Sequence, residues 1–286
     1  MKDNKKHKKA EYGILITGLI ILLAAACIIA LCAGQYSVSV PEVIKILASR
    51  FVNVTKTWSN TAEGVVFTLR LPRIIGAVLV GSALSLSGAA YQGVFKNPLV
   101  APDLLGVSSG ACVGASVAIL LHLNSFGVQA MAFVAGILAV GLTLFIPRLI
   151  KNTNMTMLVL SGIIVKGIMD SVMGIIKYVA DPETELQSIT YWQLGSLTKV
   201  LPKDLFTVGP VIVAASVIIF LLRWRINILS LGDREAKTLG VSVTVVRNFI
   251  IICATLLTAS AVCISGTIGW IGLVIPHFAR MLTGPD

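Results

Sequence analysis

The apolar residues of this chain are gathered into long uninterrupted runs. Eight lie near residues 13–34, 74–95, 104–121, 126–147, 156–179, 205–222, 248–264 and 266–282. The first, GILITGLIILLAAACIIALCAG, carries no charge over 22 residues. As a helix it would span ~33 Å, enough for a hydrocarbon core of about 30 Å. Basic residues precede it in MKDNKKHKKA, as they would in a secretory signal. It is too long for the apolar part of such a signal, and further apolar runs follow. The pattern predicts about eight membrane-crossing helices, some short or broken. A β-barrel would show alternating segments of about ten residues instead. The expected class is therefore all-α, a polytopic helical membrane protein.

Composition agrees with lipid as the solvent. The chain is 56% hydrophobic and 13% charged, with a mean hydropathy of +0.91; soluble domains are nearer 25% charged. Glycine occurs 25 times, often spaced three to five residues from another small residue, as in Gly106, Gly110 and Gly114. Such spacing lets helices approach closely. The net charge of +10 points to loop topology rather than to nucleic acid, because Lys and Arg gather in cytoplasmic loops. Alternating eight spans from a cytoplasmic N-terminus puts 14 basic residues inside and 7 outside. This predicts a cytoplasmic basic tail (1–12), then a single transmembrane domain (13–286), with Arg70 and Arg73 outside. The five cysteines lie in or beside apolar runs and read as small buried hydrophobes. No metal site is expected.

Several interruptions carry candidate chemistry. In VFKNPLVAPDLLGVSSGA (94–111), Pro98 and Pro102 break helix, while Asn97 and Asp103 suit turns or caps. This reads as a tight re-entry between spans, with Asp103 capping the third; a ligand-lining broken helix is the alternative. Lys166 and Asp170 lie four apart within a span. They are read first as a local ion pair, then as a pathway-lining pair, then as an ion relay. Lys177, near the span end, is expected to snorkel to the outer interface. His277 and Arg280 read as an interfacial cap and anchor. A long inside segment, 223–247, could hold a short helix over Asp233–Leu239 between Gly232 and Gly240, with Ala236 and Leu239 sharing a face and Asp233 paired to Lys237. Its spacing fits a solvated helix and a docking helix equally well. No GxxxxGK[ST] loop occurs, so no P-loop ATP site is expected.

Four stretches in order resemble one family. They are RLPR…GSALSLSGAAYQGVFKNPLVAPDLLGVSSGA, YWQLGSL (191–197), LSLGDREAKTLGV (229–241) and SGTIGWIGLVIPHFAR (265–280). The chain is similar to the permease subunits of type II ABC importers for ferric siderophores, haem and cobalamin. The resemblance implies a non-enzymatic subunit that moves a metal chelate, of the iron–siderophore type, across a prokaryotic cytoplasmic membrane. It implies a permease homodimer or a paired homologous permease, two cytoplasmic subunits that bind ATP and Mg²⁺, and an extracytoplasmic substrate-binding protein. No cofactor is expected in this chain, nor any nucleic acid. By resemblance, Arg70 and Arg73 dock the binding protein, and Gly232, Asp233, Glu235, Ala236, Leu239 and Gly240 couple to the ATPase. Tyr191, Trp192, Gly195 and Ser196 lie near the outer mouth, and the span holding Lys166 and Asp170 lines the path. Gln92, Asn97, Pro98, Pro102, Gly106, Pro276 and His277 are motif residues. Family members usually carry about ten spans, so the last two are expected to be absent here. Lys166 stands where the family usually has a small or apolar residue. An ion-gradient transporter using Lys166 and Asp170 is the rival reading.

Overall fold

A computed structural model describes residues 2–152 and 154–284, and every regular element among them is helical. The helices are α1 (Lys2–Cys32), α2 (Val40–Ala48), α3 (Asn60–Gly64), α4 (Leu71–Phe95), α5 (Val107–Leu120), α6 (Ser125–Leu149), α7 (Met155–Val179), α8 (Glu185–Gln193), α9 (Pro202–Leu221), α10 (Arg223–Leu231), α11 (Asp233–Thr238), α12 (Val243–Ser265) and α13 (Ile271–Thr283). All eight apolar runs are helical over most of their length, the last only from Ile271 onward. Six helices among the described residues are long and apolar enough to cross a membrane. The other two, α5 and α13, have 14 and 13 residues. At 1.5 Å per residue each reaches only ~20 Å, short of a full crossing.

The chain divides into two compact units, residues 1–77 and 78–286. In the first, α2 turns Val43 and Ile46 onto Leu31, Val38, Trp58, Ala62 and Val66. Ser59 caps α3 by accepting from the Ala62 N–H at 3.0 Å. The second span starts earlier than its apolar run: helix is continuous from Asn60 to Phe95. Pro72 therefore sits inside a helix rather than at its entrance. The turn before it, Val65–Arg70, is π-wound, and the Leu71 N–H bonds the Val66 carbonyl five residues back. Proline inside a helix has no N–H to bond back along the chain, and the ladder is irregular in the turn just before it.

In the second unit, α12 is the central helix. Its side chains pack with those of α4, α5, α6 and α9 in one continuous core. Small residues permit this closeness. At Gly114 an added Cβ would stand 2.3 Å from the Met131 carbonyl oxygen of α6, and at Gly88 it would stand 1.8 Å from that of Gly272 on α13. Polar pairs add specificity between helices: Tyr91 to Thr255 at 2.9 Å and Thr258 to Ser87 at 3.1 Å.

Candidate functional site

The functional groups of the second unit collect in three places along its length. The first is where α4 ends and α12 begins. Gln92, buried on α4, donates to the carbonyls of Val100 and Leu273 at 3.2 and 3.3 Å and accepts from Arg280 Nη2 at 2.6 Å. Its amide thus ties α4 to the re-entrant loop and to α13. Arg280, read from sequence as an interfacial anchor, is instead held inside this knot. Asn97 Oδ1 accepts from the Leu99 N–H, closing the turn that carries exposed Pro98. The Pro102 ring lies against Gly272, and buried Pro276 lies within α13 one turn further on. His277 is exposed, with its ring tilted against Phe278.

Beside this knot lies the short helix expected after Gly232. It is α11, and Gly232 enters it at φ +147°, with the Glu235 carboxylate folded over its Cα. Two sequence expectations fail here. Ala236 is fully buried while Leu239 is exposed, so they do not share a packed face. Asp233 does not pair with Lys237. Its carboxylate accepts from Arg247 Nη2, at 2.8 Å to each oxygen, and from Lys96 Nζ at 2.8 Å. A local i, i+4 pair is worth only a few tenths of a kcal/mol, and Arg247 presents a far less hydrated partner. The Arg247 guanidinium and the Lys96 ammonium hold the Asp233 carboxyl below the usual carboxylate range. Gly240 closes the segment at φ +76°.

The second place is a cavity of about 210 Å³ midway along α7, lined by Asp103, Ser108, Ser109, Cys112, Lys166, Asp170, Met173, Gln193 and Thr267. Lys166 and Asp170 both border it, yet Lys166 Nζ pairs with Asp103 Oδ2 at 3.3 Å. Asp103 therefore does not cap α5; Gly106 occupies the cap position in the left-handed region, φ +82°. Lys177 does not reach away from the bundle but bonds Gln193.

The third place is where α12 ends. A cavity of about 330 Å³ opens there, lined in part by Gln129, Tyr191, Trp192, Ser196, Lys199 and Asp204. Gly195 (φ +72°) and Gly266 (φ +68°) cross in close contact, and the Ser196 N–H donates to the Ser265 carbonyl at 2.6 Å. Exposed Tyr191 lies under the Lys199 ammonium, 5.8 Å from its ring centre. Buried Asp204, absent from the sequence reading, accepts from Gln129 at 3.0 Å and from the Leu201 N–H at 2.8 Å. Its signal was the Leu-Pro-x-Asp start of α9, where an acidic side chain closes the first turn.

In the first unit, Arg70 donates to the carbonyls of Leu31, Cys32 and Tyr36. Sequence aimed both Arg70 and Arg73 at an external partner; the structure turns Arg70 onto the end of α1, whose last carbonyls lack partners within the helix. Arg73 is half-buried and has no hydrogen bond or ion pair among the described residues.

Comparison with known proteins accounts for this arrangement. Residues 21–286 match the FecCD transport family. The chain is 37% identical over 277 residues to a molybdate import system permease of Haemophilus influenzae, covering 96% of this chain and 81% of that one. It is 41% identical to a probable iron chelatin permease of Helicobacter pylori, over 78% of this chain and 67% of that one. A hemin transport permease of Yersinia pestis is 35% identical, over 84% and 73%. A solved structure, an inward-facing conformation of an ABC transporter assigned to the metal-chelate type, superposes with a TM-score of 0.84 at 34% identity, covering 96% of this chain and 83% of that one. With the family model spanning nearly all of the chain and the fold matching throughout, this protein belongs to the FecCD transport family, the permeases of ABC importers.

Proposed function

We propose that this chain is the membrane-spanning subunit of an ATP-driven importer that passes an intact metal chelate, of the iron–siderophore type, across a prokaryotic cytoplasmic membrane. Its N-terminus is cytoplasmic. Two copies, or this chain and a homologous permease, enclose the path. A binding protein delivers the chelate at the end where α12 stops, near Tyr191 and the 330 Å³ cavity. ATP and Mg²⁺ are bound by two separate subunits at the end where α12 begins. This chain changes no covalent bond.

The observation that carries the reading is the α10–α11 segment. Its backbone is fixed by buried Ile228, Leu229 and Ala236, while Trp224, Arg234, Glu235, Lys237 and Leu239 are exposed around it. Apolar and charged side chains on a rigid helix are what a docking partner grips. Docking of the binding protein then rests on Arg73, with Arg70 holding the end of α1. The relatives named for iron chelatin and hemin support a chelate cargo; the molybdate relative supplies the competing cargo. An ion-gradient mechanism is not favoured, because Lys166 is committed to Asp103 rather than to Asp170.

Cells expressing the chain with an ATPase and a binding protein from the same gene cluster test the proposal. Uptake of a labelled ferric hydroxamate should stop on ATP depletion and survive collapse of the proton gradient. Excess molybdate should not compete. Uptake that follows the proton gradient would overturn the mechanism, and competition by molybdate would overturn the cargo.

A further inference from the structure

Asp233 stands where three elements meet. It is the first residue of α11, Lys96 is the first residue beyond α4, and Arg247 lies in the second turn of α12. One carboxylate accepts from both cations, each at 2.8 Å. The two legs differ in kind. The Lys96 leg is open, with the two side chains 33% and 47% exposed; such a pair is weak and exchanges with water readily. The Arg247 leg is more enclosed, because there the same carboxylate meets a side chain only 11% exposed. A guanidinium so placed is strongly destabilised if its carboxylate is removed.

The Arg247 leg also has a second position available. Guanidinium binds carboxylate best through two parallel N–H groups. Here Nη2 alone faces both Asp233 oxygens, and Nε is buried with no partner among the described residues. A small shift of α11 along α12 would bring Nε and Nη2 side by side onto the carboxylate. Lys96, the other partner of that carboxylate, is held in the left-handed region at φ +53°.

We infer that Asp233 is a positioning residue, a latch that joins α11 to α12 firmly and to α4 releasably, and not a charge that meets the ATPase. The inference rests on the importer reading. The outward charges on α11 are Arg234, Glu235 and Lys237, all exposed. Movement imposed on α11 then reaches α12, the central helix, directly, and frees α4 as it does so.

Backbone amide exchange over residues 233–240, measured on the purified full-length permease, tests the latch without any partner. Asp233→Asn should speed exchange by roughly 5- to 30-fold, Lys96→Gln by less, and Glu235→Gln not at all. In the assembled transporter, Asp233→Asn and Lys96→Gln should keep the ATPase bound and hydrolysing but lower the substrate moved per ATP. A merely structural role would lower hydrolysis and transport together. Lys96→Gln removes only the exposed leg and carries the test if Asp233→Asn fails to fold. Unchanged exchange with loss of ATPase binding in Asp233→Asn would make Asp233 a docking charge and overturn the latch. So would a proportional fall in hydrolysis and transport. If no ATPase associates with the wild-type chain, the importer reading fails, while the exchange rates still judge the latch.

Discussion

Two helices of nearly equal length show opposite uses of apolar sequence. The spanning part of α1, Glu11–Cys32, is the more apolar of the two, yet only 6% of its most apolar stretch is buried. In α12, Val243–Ser265, that share is 78%. A water-soluble protein would reverse the order. In lipid, apolar side chains gain nothing by leaving the solvent, and helices meet through close packing and hydrogen bonds. Ile and Leu therefore fill α1, while Ala, Ser, Thr and Cys fill the buried turns of α12. The helix with the strongest hydropathy signal contributes least to the core, and the weaker one organises it.

The sharpest way to break this contrast is by volume. Ala259 of α12 is fully buried and Ala25 of α1 is exposed. Ala259→Leu should destabilise the fold by about 1–3 kcal/mol or more through overpacking. Ala25→Leu should leave it unchanged. Monodisperse protein remaining after a heating series in detergent reads both. A smaller effect is expected from hydroxyls. A double-mutant cycle between Tyr91→Phe and Thr255→Val should return a coupling of about 0.6 kcal/mol, and no more than ~1.7 kcal/mol. Thr17→Val on exposed α1 should produce no loss.

A third effect depends on pH, and it acts where α12 begins. The Asp233 carboxyl is depressed in the folded state by Arg247 and then Lys96, against an ordinary value of 3.8. The unfolded chain therefore holds its proton more readily, so the ion pair's contribution is complete above that value. It is lost as pH falls through the lower folded value. Thermal midpoints of wild type and Asp233→Asn should differ by a constant amount at neutral pH and converge in acid. A difference that already shrinks between pH 7 and 5 would assign it to another group.

The same physics explains what the sequence made legible. Every apolar run is helical over most of its length, because lipid leaves the backbone few other ways to satisfy its polar groups. Glycine-rich stretches such as Gly106–Gly114 marked where α5 and α6 close on each other. Partner choice was less visible. Lys166 with Asp170 and Asp233 with Lys237 have ideal i, i+4 spacing, yet both pairs are broken by residues far away in sequence. Asp103 lies 63 residues from Lys166, and Arg247 lies 14 from Asp233. Local spacing favours a pair only weakly, so tertiary geometry decides. The start of the second span was hidden as well. Arg70, Pro72 and Arg73 look like a helix entrance, and only the π-wound turn shows that the helix runs through them.

The clasp of Arg70 on the end of α1 has a consequence for biogenesis. The carbonyl of Leu31 waits for a donor 39 residues further along the chain. At a synthesis rate of about 5–20 residues per second, that interval is roughly 2–8 seconds. During it α1 has already left the ribosome with its last turn unclosed. The first helix of this protein can therefore be placed in the bilayer by its own hydropathy, but its end is sealed only when the second arrives.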